Sequence, residues 1–355
     1  MQTLGLLDEF LQDETITEIM VNGASQIYVE KEGRLQLTEK RFVDDKELIL
    51  VIDNILGPLG KRISDEIPFV DARLLDGSRV NIIVPPLSLV GPMITIRKFF
   101  KKRVSGSELI SLGSCNQHML NFLQLCVAGR KNIVISGGTG SGKTTLLNVV
   151  SSFIKSDERI LTIEDTAELR LNQEHIGRLE ARLADSEGKG AISIRQLVIN
   201  ALRMRPDRII VGECRGSEAF DMLQAMNTGH DGSLTTIHSN SPRDCLKRLE
   251  SMVLMAGIDI PTKTIREMIS SAINIIVHIS RIQDGSRKIV SITQITGMES
   301  DTITIAPIFE FKQTGLDKAT RKVVGDFRPT GTIPTFLEEL KVKGMSIDME
   351  MFGGG

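Results

Sequence analysis

The sequence predicts a small α+β domain followed by a larger α/β domain. Its 355 residues correspond to about two domains. Before residue 101, short strands are joined by tight turns, as in a small antiparallel sheet. After residue 115, apolar strands alternate with helical patterns, which is typical of a mostly parallel sheet covered on both faces. Residues 101–115 are basic and then rich in serine and glycine, which indicates a boundary.

Residues 1–100 are predicted to form the N-terminal domain, which also contains two helices. Turns at Glu32-Gly33 and Asp76-Gly77 each lie between two strand patterns, so they predict two hairpins. The predicted strands of this domain are 26–31, 34–38, 70–75, 78–84 and 93–97. Residues 101–115 are expected to be a linker with at most one helical turn, and residues 116–355 to be the α/β domain.

Composition limits the partners and the compartment. The content of 41% hydrophobic and 25% charged residues is ordinary for a globular protein, and a net charge of -2 gives no general attraction to nucleic acid. The basic stretch 97–103 is interpreted as a solvated linker. The four cysteines show no spacing suited to zinc or disulfides, so buried thiols in a reducing compartment are expected. No signal peptide or membrane-length apolar run is visible, and we expect a cytoplasmic protein.

The most specific motif is a phosphate-binding loop between a predicted strand, 132–136, and a helix. The loop reads Gly137, Gly138, Thr139, Gly140, Ser141, Gly142, Lys143 and Thr144, which matches G-x-x-x-x-G-K-[ST]. These residues and Thr145, which follows them, are expected to bind the nucleotide. Its glycines let backbone N–H groups turn toward phosphate oxygens, and the positive end of the helix points at them. Lys143 is expected to bridge the β and γ phosphates, and Thr144 to bind Mg²⁺. The motif predicts a RecA-like P-loop ATPase that uses ATP and Mg²⁺.

Acidic residues follow two further predicted strands. Strand 159–163 is followed by Glu164, and strand 208–211 by Gly212 and Glu213. Ligands of open α/β sheets sit at the carboxyl edge, so Glu213 is expected to reach the magnesium shell or the attacking water. Gly212 stands where many P-loop enzymes have an acid, so metal support is expected from Glu164 or Glu213. The sequence leaves open which of these two carboxylates is the general base.

Two histidines flank the predicted strand 233–237. His230 precedes it and His238 follows it, and both are expected beside the site. A neutral imidazole can gain or lose one hydrogen bond when a γ phosphate is present. We therefore predict that both histidines sense the nucleotide.

With these motifs in order, the chain resembles the ATPases of type II and type IV secretion and of type IV pili. The phosphate loop is followed by an "Asp box" at 162–165, a variant Walker B at 209–213 and a "His box" at 229–240. Within this family it looks most like the CpaF-type ATPase of the tight-adherence (Tad, Flp) system. That resemblance is carried by segments 17–23, 76–81, 94–99 and 201–213.

Two departures refine the resemblance. The four-cysteine zinc module of general secretory-pathway motors is missing, so that branch is disfavoured and no zinc is expected. The long N-terminal extension of many CpaF-like proteins is also missing, so we expect a short homologue or a trimmed chain.

The resemblance implies a homohexameric ring at the cytoplasmic face of the inner membrane, attached peripherally through polytopic platform proteins. ATP hydrolysis would drive pilus assembly or protein secretion. The γ phosphate needs a cation, and no arginine lies within the phosphate loop, so one is expected from elsewhere. The N-terminal domain offers Arg79 and Arg97, which the resemblance places over the nucleotide.

Three alternatives to this function stay open at the level of sequence. The chain could be a type IV secretion or conjugation-type traffic ATPase, or a nucleotide-gated switch with slow turnover. The two carboxylates disfavour the switch, because a switch needs no group that activates water. A DNA-transport motor or helicase is disfavoured by the acidic charge balance.

Overall fold

A computed structural model describes residues 4–31, 33–99, 104–182, 184, 189–318 and 320–353. The chain divides into two compact units, Met1–Lys102 and Arg103–Gly355. Residues 100–103 of the basic stretch and of the expected linker lie outside the described residues.

The first unit is a six-stranded antiparallel sheet with two helices. Its elements are α1 Leu7–Gln12, β1 Ile16–Asn22, β2 Gln26–Lys31, β3 Arg34–Leu37, α2 Asp45–Leu56, β4 Phe69–Arg73, β5 Arg79–Ile83 and β6 Met93–Arg97, with a 3-10 turn at Gly57–Leu59. The sheet order is β3-β2-β1-β6-β5-β4. Helix α2 begins after Asp44, whose side chain accepts the N–H of Glu47, and buries Leu48 and Ile52 in the core of this unit. Both predicted hairpins, β2–β3 and β4–β5, are confirmed.

The second unit is built on a nine-stranded sheet in the order β15-β14-β13-β12-β7-β11-β10-β8-β9. Its elements are α3 Gly106–Ser111, α4 Gln117–Ala128, β7 Ile133–Gly137, α5 Lys143–Ser151, β8 Ile160–Glu164, β9 Ile176–Glu180, α6 Ile194–Ala201, β10 Arg208–Cys214, α7 Glu218–Asn227, β11 Leu234–His238, α8 Pro242–Leu254, α9 Thr262–Ala272, β12 Ile275–Arg281, β13 Arg287–Glu299, β14 Thr302–Leu316, β15 Val323–Pro329 and α10 Leu337–Val342, with a 3-10 turn at Met349–Phe352.

The predicted parallel core of this sheet is present. Strands β12, β7, β11, β10, β8 and β9 run parallel to one another. Ile133 and Ile135 of β7 face a core cluster that includes α4 and α5, whereas Val134 faces a second cluster that includes α7 to α9. Successive residues of this central strand are therefore buried on opposite faces of the sheet, and both faces are covered. This explains the continuous apolar sequence of the strand.

The sheet continues into three antiparallel strands that the sequence did not reveal. Strand β13 pairs with β12, β14 with β13, and β15 with β14, each antiparallel. They carry many half-exposed and exposed positions, and β13 and β14 are 13 and 15 residues long. Their apolar pattern is therefore weaker than that of the buried parallel strands.

Residues 104–115, expected to be linker, form part of the second unit. Ser105 and Glu108 make a capping box at the start of α3. Leu109 and Cys115 belong to the same core cluster as β7. The signal available in the sequence was the Ser-x-x-Glu spacing at the beginning of this helix.

The four cysteines are free and buried, as predicted. Burial raises the pKa of the Cys115 thiol to about 11. Within the described ranges, none of the helices has the length and apolar character needed to cross a membrane.

A buried arginine fixes the amino edge of the parallel sheet. Arg208, at the start of β10, is 1% exposed and donates to both carboxylate oxygens of Glu158 at 2.8 and 2.9 Å. It also donates to the carbonyl oxygens of Gly232 at 3.1 Å and Val127 at 2.9 Å. Four hydrogen bonds thus offset the cost of burying this ion pair.

We expect Gly232→Ala to destabilise the protein much more than Gly229→Ala. Both glycines have positive φ, +84° and +95°, so alanine costs about 1 kcal/mol of backbone strain at each. A Cβ at Gly232 would also overlap the Arg208 guanidinium, whereas Gly229 has open space. Disrupting the buried pair should raise the loss to roughly 3 kcal/mol or more. Denaturant unfolding of both variants measures the difference, and equal losses would show that Arg208 does not constrain Gly232.

Candidate active site

The phosphate loop joins the central strand β7 to helix α5, as predicted. Gly140 and Gly142 have φ of +67° and +97°, a conformation that glycine adopts without strain. A Cβ on Gly137 would overlap the carbonyl oxygen of Ile279 on β12. The carbonyl of Gly138 accepts from Ser141 Oγ at 2.8 Å and from Lys143 Nζ at 3.0 Å. The glycines therefore permit a loop whose lysine lies against the loop backbone.

Glu164 lies at the carboxyl end of β8 and is almost completely buried. It is 3% exposed. Its Oε1 accepts the backbone N–H groups of Glu168 and Leu169, each at 2.8 Å, while Oε2 is buried and has no hydrogen-bond partner among the residues that the structure describes. Burial raises the pKa of this carboxyl above its ordinary value, and the two N–H groups oppose that rise. One oxygen is thus anchored and the other is available for a ligand.

The structure explains why glycine occupies position 212. Strands β8 and β10 are neighbours, with Ile163 opposite Val211. A Cβ on Gly212 would lie 3.0 Å from Cγ of Glu164. A side chain at position 212 would therefore require the Glu164 side chain to shift by a few tenths of an ångström. An acid at this position would also place two carboxylates in contact in a buried setting, which costs free energy.

Glu213 occupies a more open position than Glu164. The register of β10 with β11 shifts between Val211 and Cys214, which marks a β-bulge at Gly212 and Glu213. The Glu213 side chain is 25% exposed, and its Oε2 accepts from Arg215 Nη2 at 2.6 Å and Nε at 3.0 Å. This hydrogen bond raises the pKa of Arg215. Sequence reasoning did not single out Arg215, although it lies only two residues from Glu213.

The structure brings only one of the two predicted histidines to this edge. His238 ends β11 opposite Gly137, and its Nδ1 lies 3.5 Å from Oγ1 of Thr139 in the phosphate loop. His230 precedes β11, and its carbonyl accepts from Ser233 at the amino edge of the sheet. The strand between them spans about 13 Å. The expectation that both histidines lie beside the phosphate loop is therefore wrong for His230.

A histidine that sequence reasoning missed lies directly behind the loop. His278 on β12 is buried, and its Nδ1 is 2.8 Å from Oγ of Ser136, the residue before Gly137. Burial lowers the pKa of His278, although a hydrogen bond with the Asn240 backbone opposes the shift. It lies inside the apolar run Ile273–Ile279, so no local pattern marked it.

The predicted arginines Arg79 and Arg97 lie on neighbouring strands of the first unit. They are opposite each other on β5 and β6. Arg97 is half-exposed, and its Nε lies 3.0 Å from Oε1 of Glu18 on β1. In the second unit, Arg287 of β13 donates from Nε to the carbonyl of Gly140 at 2.9 Å. An arginine outside the phosphate-loop motif, but in the same unit, therefore contacts the loop.

The oxygen donors of the site suit Mg²⁺. Among the residues that the structure describes, no group of three or more histidine, cysteine or acidic side chains forms a metal cluster. Mg²⁺ does not need such a cage, because it is usually held by one or two protein oxygens, water and phosphate. Thr144 is the second residue of α5, next to Lys143, and Glu164 Oε2 is a buried oxygen without a hydrogen-bond partner in the described part of the chain. Both groups offer the hard oxygen donors that Mg²⁺ prefers.

The chain resembles known secretion proteins over most of its length. Residues 2–321 match the family described as type II/IV secretion system protein. The conjugal transfer protein TrbB of Rhizobium radiobacter is 32% identical over 295 residues, covering 82% of this chain and 87% of TrbB. The type IV secretion system protein VirB11 of Bartonella quintana is 30% identical over 326 residues, covering 81% of this chain and 90% of VirB11.

A solved structure supports the fold. The Legionella pneumophila ATPase DotB superposes with a TM-score of 0.59 at 22% identity, over 81% of this chain and 80% of DotB. The predicted fold, a RecA-like ATPase domain preceded by a smaller α+β domain, is confirmed.

We expect Glu164→Gln to change how stability depends on pH. The folded protein raises the pKa of Glu164, so its contribution to stability is fully present below the unfolded pKa and is lost as pH rises through the folded pKa. Glutamine does not titrate. The difference in denaturant unfolding midpoint between Glu164→Gln and the wild type should therefore move in favour of the variant as the pH is raised from 4 to 8. The measurement is made with EDTA and without nucleotide. A constant difference would contradict the buried-carboxylate assignment.

Proposed function

Because the chain belongs to the type II/IV secretion system protein family, we propose that it is a hexameric motor ATPase. In this proposal it hydrolyses ATP to ADP and phosphate at the cytoplasmic face of the bacterial inner membrane. The energy drives pilus assembly or protein secretion through polytopic membrane partners. The observation that carries the proposal is the phosphate loop with Lys143, adjoined at the same sheet edge by Glu164 and Glu213.

The two carboxylates take different roles in this proposal. Glu164 is anchored by two backbone N–H groups and buried, so it is suited to hold a fixed ligand such as magnesium-bound water. Glu213 is partly exposed and bound through one oxygen to Arg215, so it can turn toward an attacking water. We assign Glu213 as the general base and Glu164 as metal support.

Phosphate binding requires an exchange of partners in the loop. Lys143 Nζ leaves the Gly138 carbonyl and bridges the β and γ phosphates, while loop N–H groups bind phosphate oxygens. Thr144, with phosphate oxygens, would hold Mg²⁺, which when bound would supply positive charge to the phosphoryl group. Glu213 leaves Arg215 and accepts the proton of the attacking water. His238, next to Thr139, senses the γ phosphate; we assign no such role to His230 from this chain's own site.

The biological setting has two candidates. The CpaF-like segments of the sequence favour the tight-adherence pilus system. The alignments with TrbB and VirB11 favour a conjugation-type or other type IV secretion traffic ATPase. Both candidates use the same chemistry and a membrane partner. Neighbouring genes for pilins would support the first, and neighbouring genes for conjugation proteins would support the second.

The roles of Lys143 and Glu213 are separable by mutation. Lys143→Ala should lose tight ATP binding, because the phosphates lose their bridging cation. Glu213→Gln should bind ATP normally but lower kcat by about a hundredfold or more, the usual scale for losing an acid–base group. Glu174→Gln, the same change in an exposed loop, is the control. Nucleotide titration and phosphate release measure the two steps, and normal turnover of Glu213→Gln would refute the assignment.

Arg97 tests whether the active site needs the N-terminal unit. We propose that Arg97 and Arg79 close over the nucleotide of their own or a neighbouring subunit. Arg97→Ala should then lower kcat about tenfold or more without unfolding the protein. Glu18→Gln is the matched control, because it removes the Arg97 ion pair and keeps the arginine.

In the same assay, specific activity should rise with protein concentration as subunits assemble. A monomer with full specific activity at every concentration would contradict the ring. An Arg97→Ala variant with wild-type turnover, or a Glu18→Gln variant equally impaired, would contradict the proposed role of Arg97.

A further inference from the structure

We infer that Arg287 is a positioning residue that holds the phosphate loop in its binding conformation before nucleotide arrives. The inference rests on the proposed function, since it assumes that the loop binds phosphate. Arg287 begins β13 and is separated from the loop by more than a hundred residues of sequence. It acts through the loop backbone and is not assigned a contact with the nucleotide.

Arg287 makes two contacts with the loop. Its Nε donates to the carbonyl oxygen of Gly140 at 2.9 Å. Its Cδ lies 3.2 Å from the position of a Cβ on Gly142, so the aliphatic stem runs along this glycine. A phosphate loop directs its N–H groups toward the anion, and its outward carbonyls then need other donors. Arg287 supplies such a donor at Gly140, one of the two loop glycines with positive φ.

Hydrogen bonds fix the backbone on both sides of Arg287. At the β12–β13 turn, Asp284 Oδ1 accepts from the backbone N–H of Ser286, and Oδ2 accepts from the N–H of Val323 on β15. On the other side, Lys288 Nζ donates to the carbonyl of Gly113 and the N–H of Ile289 to that of Ser114. The backbone is therefore anchored by hydrogen bonds on both sides of Arg287. Because Arg287 also binds the Gly140 carbonyl, this anchoring restrains the position of Gly140.

Arg287 and Lys143 donate hydrogen bonds to different loop carbonyls. Only Lys143 has to give up its hydrogen bond when phosphate binds. Lys143 must leave Gly138 to reach a phosphate, whereas Arg287 can keep Gly140 throughout. Removing Arg287 should lower the fraction of loops already in the binding conformation. The apparent Kd rises in inverse proportion to that fraction. Once nucleotide is bound, its phosphates organise the loop, so kcat should change little.

The decisive variants separate hydrogen bonding from charge. Arg287→Met keeps an aliphatic stem beside Gly142 but loses the donor and the charge, whereas Arg287→Lys keeps the charge without a donor at the Nε position. Both should raise the Kd for ADP and the KM for ATP about three- to tenfold, the scale of one hydrogen bond, with kcat within about twofold. Arg328→Met is the control, since Arg328 is an exposed arginine of β15 paired with Asp326.

Hydrogen exchange gives a readout that does not depend on activity. In nucleotide-free Arg287→Met, amides of residues 139–142 should exchange faster than in the wild type, and saturating ADP should abolish the difference. Faster exchange throughout the second unit would indicate a general loss of stability and overturn the inference. Full recovery of ADP affinity in Arg287→Lys would assign the effect to charge and also overturn it.

Failure of this inference differs from failure of the proposed function. A wild-type protein that binds no ADP would refute the nucleotide site, and exchange of residues 139–142 would still test the Arg287 contact. A wild-type protein that binds ADP, with unchanged Kd and loop exchange in Arg287→Met, would refute the positioning role alone.

Discussion

The site depends on the parallel register of the central strands. In that register His238 of β11 lies opposite Gly137 of β7, and His278 of β12 lies opposite Ser136. Residues that follow parallel strands therefore meet at one edge, even when they are far apart in sequence. The same register excludes residues that precede the strands, which is why His230 lies away from the loop.

At this edge, the two carboxylates Glu164 and Glu213 differ in how deeply they are buried. Glu164 is buried beside Gly212 and is fixed by backbone N–H groups, whereas Glu213 lies on a bulge and keeps access to solvent. A buried, raised-pKa carboxyl gains most from a bound cation, because the cation offsets the cost of its charge. A partly exposed carboxylate can change partners at little cost. The two carboxylates thus differ in burial and in anchoring, which is the basis for the different roles proposed for them.

The sequence could predict features whose signals are local. The phosphate loop, the strand ends at Glu164 and Glu213, and the two hairpins of the first unit all follow from short patterns with a definite physical basis. The capping box at Ser105 was equally local, and it was overlooked because the surrounding composition resembled a linker.

Other features depend on long-range pairing and carry no local signal. Arg287 meets Gly140 only because β13 pairs with β12, which pairs with β7. His278 looks like one polar residue in an apolar strand until its neighbour Ser136 is known. His230 and His238 belong to one motif, but the strand between them separates them by about 13 Å, so nearness in sequence does not bring both to the same edge.

The two edges of the parallel sheet use arginine in opposite ways. At the amino edge, Arg208 and Glu158 are both buried, so separating them would leave an uncompensated charge at a cost of about 3–5 kcal/mol. At the carboxyl edge, Arg215 is exposed and its pair with Glu213 is worth at most about 1 kcal/mol. Nucleotide binding can therefore redirect Arg215 without loosening the sheet. The buried pair ties the start of β10 to Glu158, whereas the exposed pair leaves Glu213 able to exchange partners, as the proposed role of a general base requires.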